Sequence, residues 1–343
     1  NHEASLQPIE KAIRYQAADD EQLLNVETQF GRSIEITANH SLFRYDDGIE
    51  EVAGDELEAG DLLIAPQSLD IAGTETTIDA AECVETPYVV IDDHVEARLR
   101  PGWDTTERGS DVHTAFKTGL EYQLAKEKIP LDRFETILDE AGYAVPSDVT
   151  IALEGSTDGI ARTIDVDEEF GWLLGLFVAE GTTSSVCPAI HNADEGIIDR
   201  AAEITADALS HDPERRWSNR AYELRFPAVF REILYSFGFE ERESYSSSEK
   251  IVPECIRTAP EPVVKAFLRG FIAGDGSETS DDNHTTVQFH STSEDVRDGI
   301  VYLLHRLGLV ANISTRRDRD GNRQDIYSVT VPGGGNDHQH RNT

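Results

Sequence analysis

The chain has 343 residues, more than one hydrophobic core usually organises, so two or three domains are expected. Its 66 acidic and 30 basic residues give a formal net charge of -36, and such a surface repels itself in dilute buffer but not near 1 M salt, where the screening length is about 3 Å, which predicts a halophilic origin. A hydrophobic fraction of 38% excludes wholesale disorder. Cys83, Cys187 and Cys255 are too few and too scattered for a disulfide framework or cysteine zinc site, and neither a membrane-length apolar run nor a secretory leader is visible, so a soluble, cytoplasmic protein with no membrane partner is expected.

Residues 1–100 read as short strands separated by turns. SIEIT at 33–37 alternates polar and apolar side chains, and Asp47-Gly48 is a turn signal, which together predict an all-β module. Residues 101–163 read as a helical linker or small subdomain. TAFKTGLEYQLAKEKI and LDRFETILDEAGY space their apolar residues as helices do, with Pro130 breaking the run and Gly142 ending it.

From 164 the pattern is mixed and occurs twice. EEFGWLLGLFVAEGTTSS at 168–185 and PVVKAFLRGFIAGDGSET at 262–279 each contain an apolar helix with small residues four apart, Gly175 and Ala179 in one and Gly270 and Gly274 in the other. Small residues on one helix face let two backbones approach closely. Gly181 and Gly276 suit the left-handed residue that ends a helix, placing Glu180 and Asp275 in the last turns. Parallel packing would bring these carboxylates together at the negative ends of two helix dipoles, which is unfavourable unless a cation joins them. Oxygen ligands of this kind suit Mg²⁺, which can activate water for phosphodiester hydrolysis.

LLGLFVAEG at 173–181 and LRGFIAGDG at 268–276 resemble the two motifs of LAGLIDADG homing endonucleases, the first with Glu where Asp is commoner. The resemblance implies an α+β, pseudosymmetric two-repeat fold over 164–333, each repeat running αββαββα, in a monomer with an internal pseudo-twofold. It implies a Mg²⁺-dependent endodeoxyribonuclease that cuts one phosphodiester on each strand of double-stranded DNA, with Glu180 and Asp275 holding Mg²⁺. EKIVPECI at 249–256 resembles the lysine block that inteins of this family carry between the motifs, which implies that Lys250 assists as the third catalytic residue.

Charge divides along the chain in the same sense. Residues 1–169 hold 39 acids and 12 bases, and residues 170–343 hold 27 acids and 18 bases. The retained arginines cluster at Arg215, Arg216, Arg220, Arg225 and Arg231, and at Arg316, Arg317, Arg319 and Arg323. Local enrichment in so acidic a chain is the pattern of a polyanion-binding face. The alternative is solvated arginines paired with Asp212, Glu214, Asp318 and Asp320. Both clusters fall at the second strand pair of a repeat, where the resemblance places DNA-facing sheets.

GRSIEITANHSLF at 31–43 resembles the intein splicing block built on Thr-x-x-His, and DELEAGDLLIAP at 55–66 a strand segment of the same Hint fold. The resemblance implies that Thr37 and His40 activate the amino-terminal scissile peptide, and that residues 1–100 are a partial Hint domain spliced in cis from a host (extein) protein. The terminal nucleophile and the closing His-Asn block are missing, since Asn1 opens the chain and Arg341 precedes Asn342, so splicing by this piece alone is not expected. A chain without methionine reads as a piece of a longer precursor, and residues 334–343 as a polar tail. Two other readings keep the fold but change the chemistry: a degenerate, non-cleaving DNA-binding module within an intein, and an RNA maturase.

Overall fold

The computed structural model describes residues 9–14, 22–106, 119–183, 186–218, 220–239, 246–280, 285–317 and 324–332. They form a mixed α/β architecture of several sheets and helices in two compact units. One unit takes residues up to Ala72 and from Ser277 onward, and the other is the continuous segment Gly73–Gly276.

The discontinuous unit opens with two antiparallel hairpins. In the first, β1 (Leu23–Glu27) pairs with β2 (Ser33–Thr37), so that Leu24 faces Ile36 and Val26 faces Ile34 on one side. In the second, β3 (Ser41–Tyr45) pairs with β4 (Ile49–Ala53). The expected Asp47-Gly48 turn joins them, with Asp47 at φ 54° and the Asp46 N–H bonded to the Gly48 carbonyl.

The continuous unit begins with β5 (Thr77–Asp79), β6 (Tyr88–Val90), α1 (Asp93–Thr105), α2 (Leu120–Ala125), β7 (Lys128–Pro130), α3 (Leu131–Glu140), β8 (Thr150–Ala152), β9 (Ile160–Ala161) and β10 (Thr163–Asp165). Asp92 caps α1 by accepting from the Val95 N–H at 2.8 Å, satisfying a donor the helix cannot. Gly142 closes the turn after α3 at φ +73°, its N–H bonded to the Asp139 carbonyl. The segment read as helical therefore also contributes strands, in a sheet ordered β7-β6-β8-β9 and in the β5-β10 pair.

Next come α4 (Glu168–Glu180), β11 (Gly181–Thr182), β12 (Ala189–Asn192), α5 (Glu195–Leu209), β13 (Glu214–Ser218), β14 (Ala221–Arg225), α6 (Ala228–Ser236), α7 (Glu254–Arg257) and α8 (Glu261–Asp275). Every residue of α4 from Phe170 to Ala179 is buried, because α8 covers one side while α5 and β12 cover others. A helix that is apolar all round has to be buried in this way. Phe177 meets the rings of Phe226, Phe230 and Phe239 edge-on at 5.9 to 6.1 Å, and burial of one such side chain contributes roughly 1.5–3 kcal/mol.

The chain ends its described course with β15 (Gly276–Ser280), β16 (Thr285–Ser291), α9 (Glu294–Arg306), β17 (Asn312–Arg316) and β18 (Ile326–Val331). The sheet of β11-β12-β14-β13 and that of β15-β16-β18-β17 have the same strand order, each following a motif helix and each interrupted by one helix. The last helix expected of the second repeat, and the polar tail, lie outside the described residues.

The helix ends correct one expectation. Gly181 (φ -79°, ψ 156°) and Gly276 (φ -109°, ψ 170°) are extended, not left-handed, because each is the first residue of a strand. Glycine is required there for space: a Cβ would lie 2.4 Å from the Phe177 carbonyl oxygen at Gly181 and 2.4 Å from Ile272 Cα at Gly276.

Candidate nucleic-acid interface

The two motif helices cross closely enough that backbone meets backbone. A Cβ on Gly175 would stand 2.0 Å from the Phe267 carbonyl oxygen, and one on Gly270 would stand 2.0 Å from that of Trp172. At Gly274 the nearest atoms would be Ala179 Cβ at 2.6 Å and Glu180 Cγ at 2.8 Å, so the last turns lie side by side. Glu180 and Asp275 therefore share one end of the helix pair, and Lys250 reaches it too. The Lys250 ammonium is buried and donates to the Ala179 carbonyl oxygen. Burial pulls its pKa from 10.5 down to about 8, against the opposing pull of Asp275 and Glu180. Burial pushes the Glu180 carboxyl up, Asp275 adds to that shift, and Lys250 and a 3.2 Å hydrogen bond from Asn192 Nδ2 oppose it. Asp275 is exposed.

This geometry corrects the expected chemistry. Among the described residues, no group of three or more His, Cys, Asp or Glu side chains comes together to hold a metal ion. Mg²⁺ demands near-octahedral oxygen coordination. Among the described residues, the end of the helix pair offers two carboxylates, and the charged group beside them is an ammonium. With no such cluster among the described residues, the Mg²⁺ cofactor, and with it the hydrolase and the Mg²⁺-dependent endonuclease, are withdrawn. The Lys250 ammonium lies beside both carboxylates.

Strand alternation sorts the arginines. On β14 Leu224 is fully buried on the side where α5 packs, so Glu223 and Arg225 lie on the opposite, open face of the sheet. The register sets Arg216 and His191 against Glu223. Arg216 donates Nε and Nη2 to the two Glu223 carboxylate oxygens at 2.8 and 3.0 Å, and Arg225 donates Nε at 2.6 Å. Hydrogen bonds from Arg216, then Arg225, hold the Glu223 carboxyl down at about 2 although burial opposes them. Arg215 lies on the helix-packed face and bonds Asp199 at 2.8 Å, and Arg220 is exposed in the β13–β14 turn at φ 71°. In the other sheet, Phe289 and Val329 are buried toward α9, and the open face carries Gln288, His290, Ser314, Ser328 and Thr330. Gln288 Nε2 donates to Thr330 Oγ1 at 3.4 Å, and His290 Nδ1 lies 3.0 Å from Ser328 Oγ. Arg316, at the end of β17, and Arg317 are exposed, whereas Arg319 and Arg323 lie outside the described residues. Sequence reasoning missed Glu223 and the uncharged row, although the alternation of YELRF and TTVQFHS carries the signal for both.

In the discontinuous unit, Thr37 ends β2 and donates to Asn39 Oδ1 at 2.8 Å, while the His40 N–H bonds the Thr37 carbonyl at 3.0 Å and the His40 side chain is exposed. No helix among the described residues is long and apolar enough to cross a membrane.

Residues 262–338 match the model of the LAGLIDADG-like domain family. This LAGLIDADG-like stretch begins in α8 and takes in α9 and the whole second sheet. The chain is 36% identical to the DNA polymerase II large subunit of Haloquadratum walsbyi over 361 residues, covering 96% of this chain and 16% of that protein. It is 24% identical to a DNA polymerase of Thermococcus hydrothermalis, covering 96% and 22%. The LAGLIDADG-like domain thus lies in a chain that resembles segments of archaeal DNA polymerases, and it spans 16% to 22% of the length of these two relatives. Among solved structures, I-DmoI in complex with DNA and Ca aligns with 15% identity and a TM-score of 0.36, over 48% of this chain and 83% of that one. The N-terminal LAGLIDADG domain of DUF199/WhiA aligns with 15% identity and a TM-score of 0.32, over 48% and 76%.

Proposed function

We propose that this chain is a LAGLIDADG-type module that binds double-stranded DNA without cutting it, carried inside a longer host protein as part of an intein. The observation that carries the reading is the open face of each four-stranded sheet. One side is packed by a helix, and the other presents hydrogen-bonding side chains: Arg216, Glu223 and Arg225 in the first sheet, and Gln288, His290, Ser328 and Thr330 in the second. A two-stranded ribbon or sheet of this kind fits the major groove, where base edges carry the sequence. The matching strand orders support a pseudosymmetric two-repeat module acting as a monomer. The retained arginines Arg220, Arg316 and Arg317 supply phosphate contacts, whereas Arg215 is turned to the helix-packed face and takes no part. The hairpins of residues 23–53, with Thr37 and His40 at the turn between them, are the proposed remnant of the splicing domain, in cis with its host. The acidic surface and the Haloquadratum relative support a salt-adapted origin.

The test is selection from a randomised duplex library in about 2 M KCl, followed by binding and strand-integrity assays on the selected site with Mg²⁺ present. Selective duplex binding with both strands intact is the expected result. Failure to retain any duplex over single strands or RNA would overturn the DNA reading, and cut strands would overturn the non-cleaving one.

A further inference from the structure

Glu223 is a buried carboxylate on an open sheet face, with its side chain 7% exposed beneath two arginines that are 45% and 36% exposed. An acid in this place weakens a phosphate-binding surface, since it cancels one of the two positive charges. Its geometric effect is larger. Both carboxylate oxygens are engaged, Oε2 by Arg216 Nε and Oε1 by Arg216 Nη2 and Arg225 Nε, so two bonds fix the Arg216 plane and one anchors Arg225 at Nε. Arg225 spends only Nε on this contact. Among the described residues its terminal Nη1 and Nη2 make no hydrogen bond, and they form a forked pair of donors beside Ala189, whose small side chain sits opposite in the register. His191 completes the patch, its Nε2 3.9 Å from Glu223.

We propose that Glu223 positions Arg225, with Arg216 beside it, to read guanine in the major groove of duplex DNA, a specificity that rests on the DNA-binding reading above. A fixed planar fork matches the O6 and N7 acceptors of guanine, and pre-organisation lowers the ordering cost of the contact. The arrangement suits high salt. Affinity drawn from phosphates falls steeply as salt rises, because it comes from counterion release, whereas hydrogen bonds to a base edge have no such dependence. The acid that impairs phosphate binding is the acid that holds the fork.

The test compares the parent chain with Glu223→Gln and Arg225→Lys by library selection and by affinity for the selected duplex and its guanine-to-adenine variants, at several KCl concentrations. The parent should enrich guanine at a fixed position and prefer it by roughly tenfold or more. Arg225→Lys keeps the charge and loses the fork, so its affinity for the guanine duplex should fall to about that for the adenine variant, and the preference should vanish. Glu223→Gln removes a negative charge, so it should bind all duplexes more tightly and with a steeper salt slope, yet discriminate less. Arg225→Lys changes a half-buried side chain at the sheet surface and serves as the decisive variant if Glu223→Gln does not fold. Duplex binding without guanine enrichment, or enrichment that survives Arg225→Lys, would overturn this proposal and leave DNA binding standing. If the two arginines only clamp phosphates, both variants will change affinity without changing base preference. Absence of duplex binding by the parent would overturn both readings.

Discussion

Glu223 takes up a proton near 4.5 when unfolded and only near 2 when held by Arg216 and Arg225. Its contribution to stability is complete above pH 4.5 and is lost as pH falls through 2, because the unfolded chain binds the proton first. At pH 7 Glu223→Gln should lower the free energy of unfolding by about 1–2 kcal/mol, the scale of charge-assisted hydrogen bonds with exposed partners. Denaturant titrations at constant high salt should show the gap between parent and variant closing from pH 4.5 toward 2. A gap that is constant across that range would show that the carboxylate is not held by the arginines. At this scale the sequence showed part of the site. The motif spacing made Glu180 and Asp275 legible as neighbours, since helical periodicity tells which side chains share an end, whereas Lys250 entered only through the resemblance of EKIVPECI to the lysine block. It could not show that, among the described residues, no third acid would join them, because coordination number depends on chain segments far apart in sequence. Glu223 was hidden for a different reason: one strand acid among 66 acidic residues has no compositional signature.

At the scale of elements, the crossing of α4 and α8 leaves no room for a side chain. Gly175→Ala and Gly270→Ala each drive a methyl to within 2.0 Å of a carbonyl oxygen on the other helix. Each should destabilise the chain by about 3 kcal/mol or more, since overpacked backbones have no rotamer to yield. Gly196→Ala, whose nearest atom would be Asp194 Oδ1 at 3.3 Å, should stay within about 1 kcal/mol of the parent. Thermal melts of the three variants separate the cases, and parent-like melting of Gly175→Ala would mean the helices do not cross as described. The long elements were legible because an apolar period repeats over several turns in α5, α8 and α9, and because α4 is one unbroken apolar run. The strands Lys128–Pro130 and Thr150–Ala152 were not, because three residues are too few to display an alternation and their pairing is entirely non-local.

For the molecule as a whole, the net charge of -36 sets the conditions under which the packing can win. Raising KCl from about 0.2 to 3 M should raise the melting temperature by on the order of 10 °C, as screening removes self-repulsion. Sucrose at matched water activity, which adds no ions, should recover only a small part of that gain. A melting temperature indifferent to KCl would mean the acidic groups are not under mutual strain. The division into units has a consequence of another kind. One unit is continuous from Gly73 to Gly276, while the other needs both the residues before it and those after it. During synthesis the inner segment has all its partners as soon as residue 276 emerges. The two hairpins made first must wait more than two hundred residues for theirs. Their closure is a long-loop event, slow by its contact order. Slowing translation beyond residue 277 would therefore prolong a state in which the middle of the chain is finished and its beginning is not.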